Sequence, residues 1–261
     1  MKRFTILLLM LGLTLPALAQ FYHPGESLEY RVSYRAKLFP NTEIGSVEVN
    51  TTEVEEDGER FYKVVGVGRT LPAYRWFFNM EDTYTIHIDP TTLRTERFRS
   101  DIREGKYTFE STYDYDWEQR VARTRWSSRK RPFKEKEIPL TDESMDAISL
   151  FFNMRSASAD AFDEGQIGTL EMLLEDTVRR IHYRYICREE KRIRRMGKLP
   201  ALRFECQLGT TEGYSFEDGS MFTIWISDDQ NKIPLAIESP VRIGSINAYI
   251  YRYYGLKHPM E

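Results

Sequence analysis

A chain of 261 residues with two cysteines, four histidines and a formal charge of −3 argues against several classes at once. A weakly acidic chain is a poor general nucleic-acid binder, and two cysteines without a clustered histidine do not make a structural zinc site. Sixteen tyrosines and fifteen phenylalanines carry much of the apolar area, and such side chains fit a pleated, half-buried surface better than a helix.

Lys2 and Arg3 precede an apolar run from Thr5 to Leu15, and Ala17-Leu18-Ala19 supplies the small-x-small pattern that a signal peptidase cuts before Gln20. The run is too short to span a bilayer and no second one follows. No cysteine stands at the cut, so no lipid anchor is expected. Residues 1–19 are read as a signal peptide, and the mature chain as periplasmic or secreted, without a transmembrane span. Losing Lys2 and Arg3 makes it more acidic by two charges.

After a turn at His23-Pro24-Gly25 the chain alternates. Leu28, Tyr30, Val32, Tyr34, Ala36 and Leu38 point one way, and Glu29, Arg31, Ser33, Arg35 and Lys37 the other, which is a strand with one wet face. Strands over 44–54 and 61–68 follow, joined by the hairpin signal Asp57-Gly58. Leu71-Pro72 leads into Tyr74-Arg75-Trp76-Phe77-Phe78, between strands. Further strands are expected over 83–88, 93–102, 107–115, 121–127 and 136–140, separated by turns at Asp89-Pro90, Glu104-Gly105 and Asp116 to Gln119. Short turns at this spacing indicate an antiparallel meander.

Thr141-Asp142-Glu143-Ser144 then reads as a helix start, with Thr141 as cap and acids in the first turn. Met145, Ile148, Leu150, Phe151 and Phe152 fall near helical spacing, so a helix is expected over 142–156, plugging or capping one opening of the sheet. Strands resume over 168–174, 177–193, 202–209, 222–227, 233–239 and 245–255. The fold class is therefore all-β: a long antiparallel meander forming a barrel or strongly curved sheet, with one short helix. The expected organisation is a single domain over 20–261, in two halves of about 20–140 and 157–261.

Cys187 and Cys206 both persist into an oxidising compartment. Met196-Gly197 lies midway between them, so a hairpin turning there would set them opposite each other. A disulfide would close a loop of about 20 residues and stabilise by roughly 3 kcal/mol in the chain-entropy picture. The alternative is two thiols packed as small hydrophobes.

Gly197-Lys198-Leu199-Pro200-Ala201-Leu202-Arg203-Phe204-Glu205 is followed by Ile224-Trp225-Ile226-Ser227-Asp228-Asp229, Ile233-Pro234 and Gly244-Ser245-Ile246-Asn247-Ala248. Together with Pro24-Gly25-Glu26-Ser27-Leu28-Glu29-Tyr30, these segments make the chain resemble the bacterial exported family known as domain of unknown function 3108, over roughly residues 21 to 254. The resemblance implies an envelope location and a β-rich meander. It brings no catalytic residues.

Tests for chemistry return little. Gly213-Tyr214-Ser215-Phe216-Glu217 lacks the second glycine of a nucleophile elbow and no helix follows it. His23, His87, His182 and His258 form no metal-binding pattern, and His87 and His182 read as hydrogen-bonded strand residues. Asp228-Asp229 is the densest acid pair, as a glycosidase would need, but Asp228 to Lys232 is also rich in turn formers. The run Arg120, Arg123, Arg125, Arg129, Lys130, Arg131, Lys134 and Lys136 reads as a solvated strand face and loop tip, or as contact with an acidic glycan or lipid headgroup. A second basic cluster, Arg188 to Arg195, reads the same way. The aromatic run at 74–78 suits stacking on a sugar or a lipid tail if exposed; entry into the core from both sides, or cover over an open barrel end, explains it more economically.

The candidate binding residues are Tyr74, Trp76, Phe78 and Trp225 for stacking, with Arg123 and Arg125 for charge. No catalytic residue, metal or cofactor is expected. The leading function is non-catalytic: an envelope protein binding a hydrophobic or glycan-like ligand, or an envelope partner. The alternatives are a structural docking protein without a small ligand and a polysaccharide hydrolase using Asp228 or Asp229.

Overall fold

In the computed structural model the alternating segments are strands, and they join a single sheet. The structure describes residues 23–36, 39–129, 131–153, 155, 162–174, 177–208, 221–240 and 244–260. The expected signal peptide, the segment around Ser215, and Lys37, Leu38 and Lys130 lie outside the described residues.

The strands are β1 (Ser27–Ala36), β2 (Phe39–Glu56), β3 (Glu59–Thr70), β4 (Met80–Ile88), β5 (Thr95–Glu104), β6 (Tyr107–Asp116), β7 (Val121–Ser128) and β8 (Arg131–Pro139), then β9 (Ser144–Met145) and helix α1 (Ala147–Asn153). They continue as β10 (Ile167–Leu174), β11 (Thr177–Ile193), β12 (Gly197–Leu208), β13 (Met221–Ser227), β14 (Pro234–Pro240) and β15 (Ser245–Tyr254). Their order in space is β8-β7-β6-β5-β4-β3-β2-β1-β15-β14-β13-β12-β11-β10-β9. Every pairing is antiparallel except the short parallel one between β9 and β10. The sheet is strongly curved but not closed: β8 and β9 are its two hydrogen-bonding edges.

Period-two patterning sets the register. Val64, Ile86, Phe98 and Tyr113 stand opposite one another across β3 to β6 and line the inner face. Phe98 and Tyr113 stack with centroids 4.7 Å apart. On the other face Thr85, Arg99, Thr112 and Arg125 form the matching polar row. A one-residue slip would exchange the two rows, so the hydrophobic face fixes the pairing.

Helix α1 lies against this inner face, and β3 has room for it because residue 66 is glycine. A Cβ there would come within 3.2 Å of Ile148 Cδ1. Phe151 meets the edge of Tyr30 at 6.4 Å, and the buried Phe152 joins the main core. The helix is shorter than the expected span of 142–156. Asp146, not Thr141, is its cap: Asp146 Oδ1 accepts hydrogen bonds from the Ile148 and Ser149 N–H groups, both at 2.9 Å. Ser144 Oγ instead accepts from the Thr141 N–H at 2.9 Å. That tight turn delivers Ser144 and Met145 to β10 as β9, which period-two reasoning cannot detect in two residues.

The β11–β12 hairpin turns through Arg195 and Gly197, both at positive φ, with Ile193 opposite Gly197. This register sets Cys187 opposite Arg203 and Cys206 opposite Tyr183. The offset is odd, so the cysteines point to opposite faces. Both thiols are free, and the disulfide expectation gives way to two packed thiols.

The tip of this hairpin bends over the outer face of β13, β14 and β15. Arg194 Nη1 reaches Glu43 Oε1 on β2 at 2.5 Å, Arg195 donates to the Tyr251 hydroxyl, and Ile193 is buried in the core that holds Trp225 and Ala236. One stretch of the wall is therefore two layers thick.

Candidate functional site

An apolar space lies between α1 and the inner faces of β10 to β13. It is a half-enclosed cavity of about 250 Å³. Leu150 and Asn153 come from α1, Leu170 from β10, Ile181 and Tyr183 from β11, Phe204 and Cys206 from β12, and Phe222, Ile224 and Ile226 from β13, with Phe162 beside them. The strand residues arrive by alternation: Ile224 and Ile226 face inward while Trp225 between them faces outward. Phe162 meets Phe204 edge-on at 5.2 Å and Tyr183 at 6.3 Å.

Few polar groups border this space. Burial pushes the Cys206 thiol up to about 12, so it stays protonated and is a poor nucleophile or metal ligand. Asn153 and Tyr183 are the remaining polar lining side chains. Among the described residues no carboxylate or histidine lines the cavity, and no cluster of three His, Cys, Asp or Glu side chains could hold a metal. The arrangement of the described residues suits binding by shape and desolvation.

Sequence reasoning did not single out these residues. They read as ordinary inward strand positions, and a gap between side chains leaves no mark in the periodicity.

The residues it did single out lie in three separate places. Tyr74, Trp76 and Phe78 belong to the connection between β3 and β4, where Trp76 is 83% exposed, Phe77 80% and Phe78 46%. This corrects the expectation that the run enters the core from both sides: its tip stands in solvent.

Trp225 is the opposite case, only 6% exposed. Its Nε1 donates to Glu189 Oε1 at 2.5 Å and Lys191 Nζ sits 3.1 Å from its ring centroid. Burial lowers the Lys191 pKa, opposed by Glu238 and Glu189. The ring is thus engaged under the hairpin tip. The recess there, of about 280 Å³, is also bordered by Glu43, Arg194 and Tyr249. Glu43 receives hydrogen bonds from both Arg194 and Tyr249.

Arg123 and Arg125 lie on the outer face of β7 and are met by acids: Arg123 by Asp116 at 3.3 Å and Glu137 at 3.4 Å, and Arg125 by Glu135 at 3.2 Å. Exposed pairs of this kind contribute little to stability, but they commit both guanidinium groups to acids of the same face.

The acid pair also resolves into a turn. Asp229 Oδ1 accepts from Ser227 Oγ and from the Asn231 and Lys232 N–H groups, while Asp228 pairs with Lys232 and Arg188. His87 bonds to Glu56 and His182 to Thr169.

This geometry defines a β-barrel-like shell curled around a short helix. Residues 29–251 match the family described as protein of unknown function (DUF3108), and the chain belongs to that family. Among solved structures it is similar to the crystal structure of a beta-barrel-like protein of domain of unknown function DUF1849 from Brucella abortus. The TM-score is 0.57 at 10% identity, covering 90% of this chain and 99% of that one. At that identity the likeness concerns the fold alone. Among curated proteins none matches the chain.

Proposed function

We propose that this protein is an exported, non-catalytic envelope protein that holds a small hydrophobic group in the cavity between α1 and β10–β13. The observation that carries the reading is an apolar, half-enclosed space walled by Leu150, Ile181, Phe204 and Ile224, with no ionisable pair among the described residues that line it. Export is supported by the n-region, apolar run and Ala-x-Ala site of residues 1–19. Among the described residues no helix is long and apolar enough to cross a membrane, which says nothing about strands.

Size narrows the ligand. Small-molecule pockets generally run from about 300 to 1,000 Å³, so this one takes a ring or a short acyl segment. Each buried methylene contributes about 0.8 kcal/mol. A six-carbon stretch therefore gains roughly 5 kcal/mol, which corresponds to binding nearer millimolar than nanomolar. Titration is the sensitive test. The uncharged fluorophore N-phenyl-naphthylamine should bind and be displaced by medium-chain fatty acids, and Leu170→Trp, which fills the cavity, should abolish the signal while the fold remains intact by circular dichroism. Unchanged binding in Leu170→Trp, or none in the native protein, refutes the reading. Amino-terminal sequencing of exported protein should begin at Gln20.

A further inference from the structure

The wall of the sheet and one of its ends differ in how they carry charge and apolar surface. On the wall, four arginines pair with neighbouring acids, Arg97 with Glu56, Arg103 with Asp101, Arg123 with Asp116 and Arg125 with Glu135, while Arg99 stands exposed among threonines. At the end formed by the β3–β4, β5–β6 and β7–β8 connections the pattern changes. These three connections lie side by side, because Gly105 N–H donates to the Asn79 carbonyl at 2.7 Å and Arg129 N–H to the Thr108 carbonyl at 3.4 Å.

The first connection exposes Trp76, Phe77 and Phe78. The second exposes Tyr107, and Phe133 stands exposed just past the third. Trp76 and Phe77 touch edge-on at 5.9 Å. Their contact with each other leaves most of both rings in water, an uncompensated hydrophobic surface.

Cations accompany the rings. Arg75, Lys106, Arg129 and Lys134 are all exposed here, and among the described residues none of the four makes an ion pair. Arg75 Nε donates only to the Thr70 carbonyl, at 3.3 Å. Nearby acids are committed elsewhere, Glu81 to Arg69 and Glu135 to Arg125, and Glu104 and Glu110 remain as counter-charges.

We propose that this end of the sheet docks on the surface of a bilayer containing anionic lipids, with Trp76 and Phe77 entering the headgroup layer and Arg75, Lys106 and Arg129 meeting phosphates. Aromatic rings with flanking cations are the chemistry of that interface, where an apolar body and a charged head are both satisfied. Each cation near an anionic leaflet strengthens binding by about fivefold at moderate salt. The occupant is identified by charge complementarity: unpaired cations collect where the rings are bare, whereas Arg97, Arg103, Arg123 and Arg125 each meet an acid. The inference is independent of the inner cavity.

The test is cosedimentation of the full mature protein with phosphatidylcholine vesicles doped with phosphatidylglycerol, against phosphatidylcholine alone. Binding should occur on the doped vesicles, weaken as salt is raised, and fall by on the order of tenfold or more in Trp76→Ser/Phe77→Ser. Both side chains are exposed, so the thermal midpoint of that variant should stay where it was. Should the double variant misfold, Lys106→Glu/Arg129→Glu carries the test, losing binding to doped vesicles by a similar factor. No binding to doped vesicles, equal binding by the variants, or capture of the rim by a protein while lipid is ignored overturns the proposal.

Discussion

Arg155 is buried against Glu26, with Nη1 donating to Oε1 at 2.5 Å, Nη2 to Oε2 at 2.8 Å and Nε to the Asn231 carbonyl at 3.0 Å. Its guanidinium also lies 5.3 Å from the Phe152 ring centroid. This bidentate pair fastens the segment beyond α1 to the start of β1. Removing one partner strands the other charge in the core, so Glu26→Ala should lower stability by about 3–5 kcal/mol, read as a shift in the denaturant midpoint. Asp146, also fully buried, accepts from two backbone N–H groups and from Ser149 Oγ and Thr95 Oγ1. Asp146→Ala should cost about 2 kcal/mol from the lost cap, and α1 should loosen before the sheet does. His87 gives a pH dependence. Burial lowers its pKa below the usual imidazole value, only partly opposed by Glu56. The folded state therefore resists a proton that the unfolded chain accepts below about pH 6.5, so stability falls on acidification through that range. Glu56, held low chiefly by its hydrogen bond to Lys63, adds loss of the same sign at lower pH. His87→Gln should flatten the decline between about pH 7 and 5 in thermal melts.

Among the elements, β10 and β11 carry a constraint that alternation does not reveal. Gly168 stands opposite Tyr183, and the Tyr183 ring lies over the bare glycine so closely that a Cβ would overlap it. Gly168→Ala must displace a ring that walls the cavity. The expected cost is about 1–3 kcal/mol of overpacking, together with altered fluorophore binding. Most strands were legible because one face is wet and the other dry. The row Leu28, Tyr30, Val32 announces β1, and the row Ile181, Tyr183, Tyr185, alternating with Arg180, His182 and Arg184, announces β11. What was not legible depends on contacts distant in sequence. The two residues of β9 are recruited by β10. The capping role of Asp146 depends on a turn at Thr141–Ser144, and Thr141, Asp142 and Ser144 upstream carry comparable capping chemistry. Trp225 looked available for stacking because nothing local says that the β11–β12 tip folds over it. The aromatic run at 74–78 was visible as a run, but its exposure depends on how far the inner face extends.

At the scale of the molecule, two meanders meet at one seam. β1 to β8 form one run of neighbours and β10 to β15 the other, and the runs are joined by the pairing of β1 with β15, from Ser27 opposite Tyr254 to Arg35 opposite Ser245. The edge strand β8 is protected in the usual way, with exposed Lys134, Glu135, Lys136 and Glu137 and a terminal Pro139. The interior seam has no such protection. A proline at Ala248, which lies between Val32 and Ile237, removes a ladder hydrogen bond in the middle of the sheet. Calorimetry of Ala248→Pro should show two separated transitions in place of one cooperative unfolding.

A polypeptide threaded head first through a ribosome or an export channel releases β1 early and β15 last. The earliest strand must then wait with one flank bare until the final ten residues of the sheet arrive, and closing a loop that long is slow. Throughout that wait the unpaired flank is a landing place for strangers, so a holding chaperone at the exit should raise yield most for versions of this chain clipped or delayed at their tail.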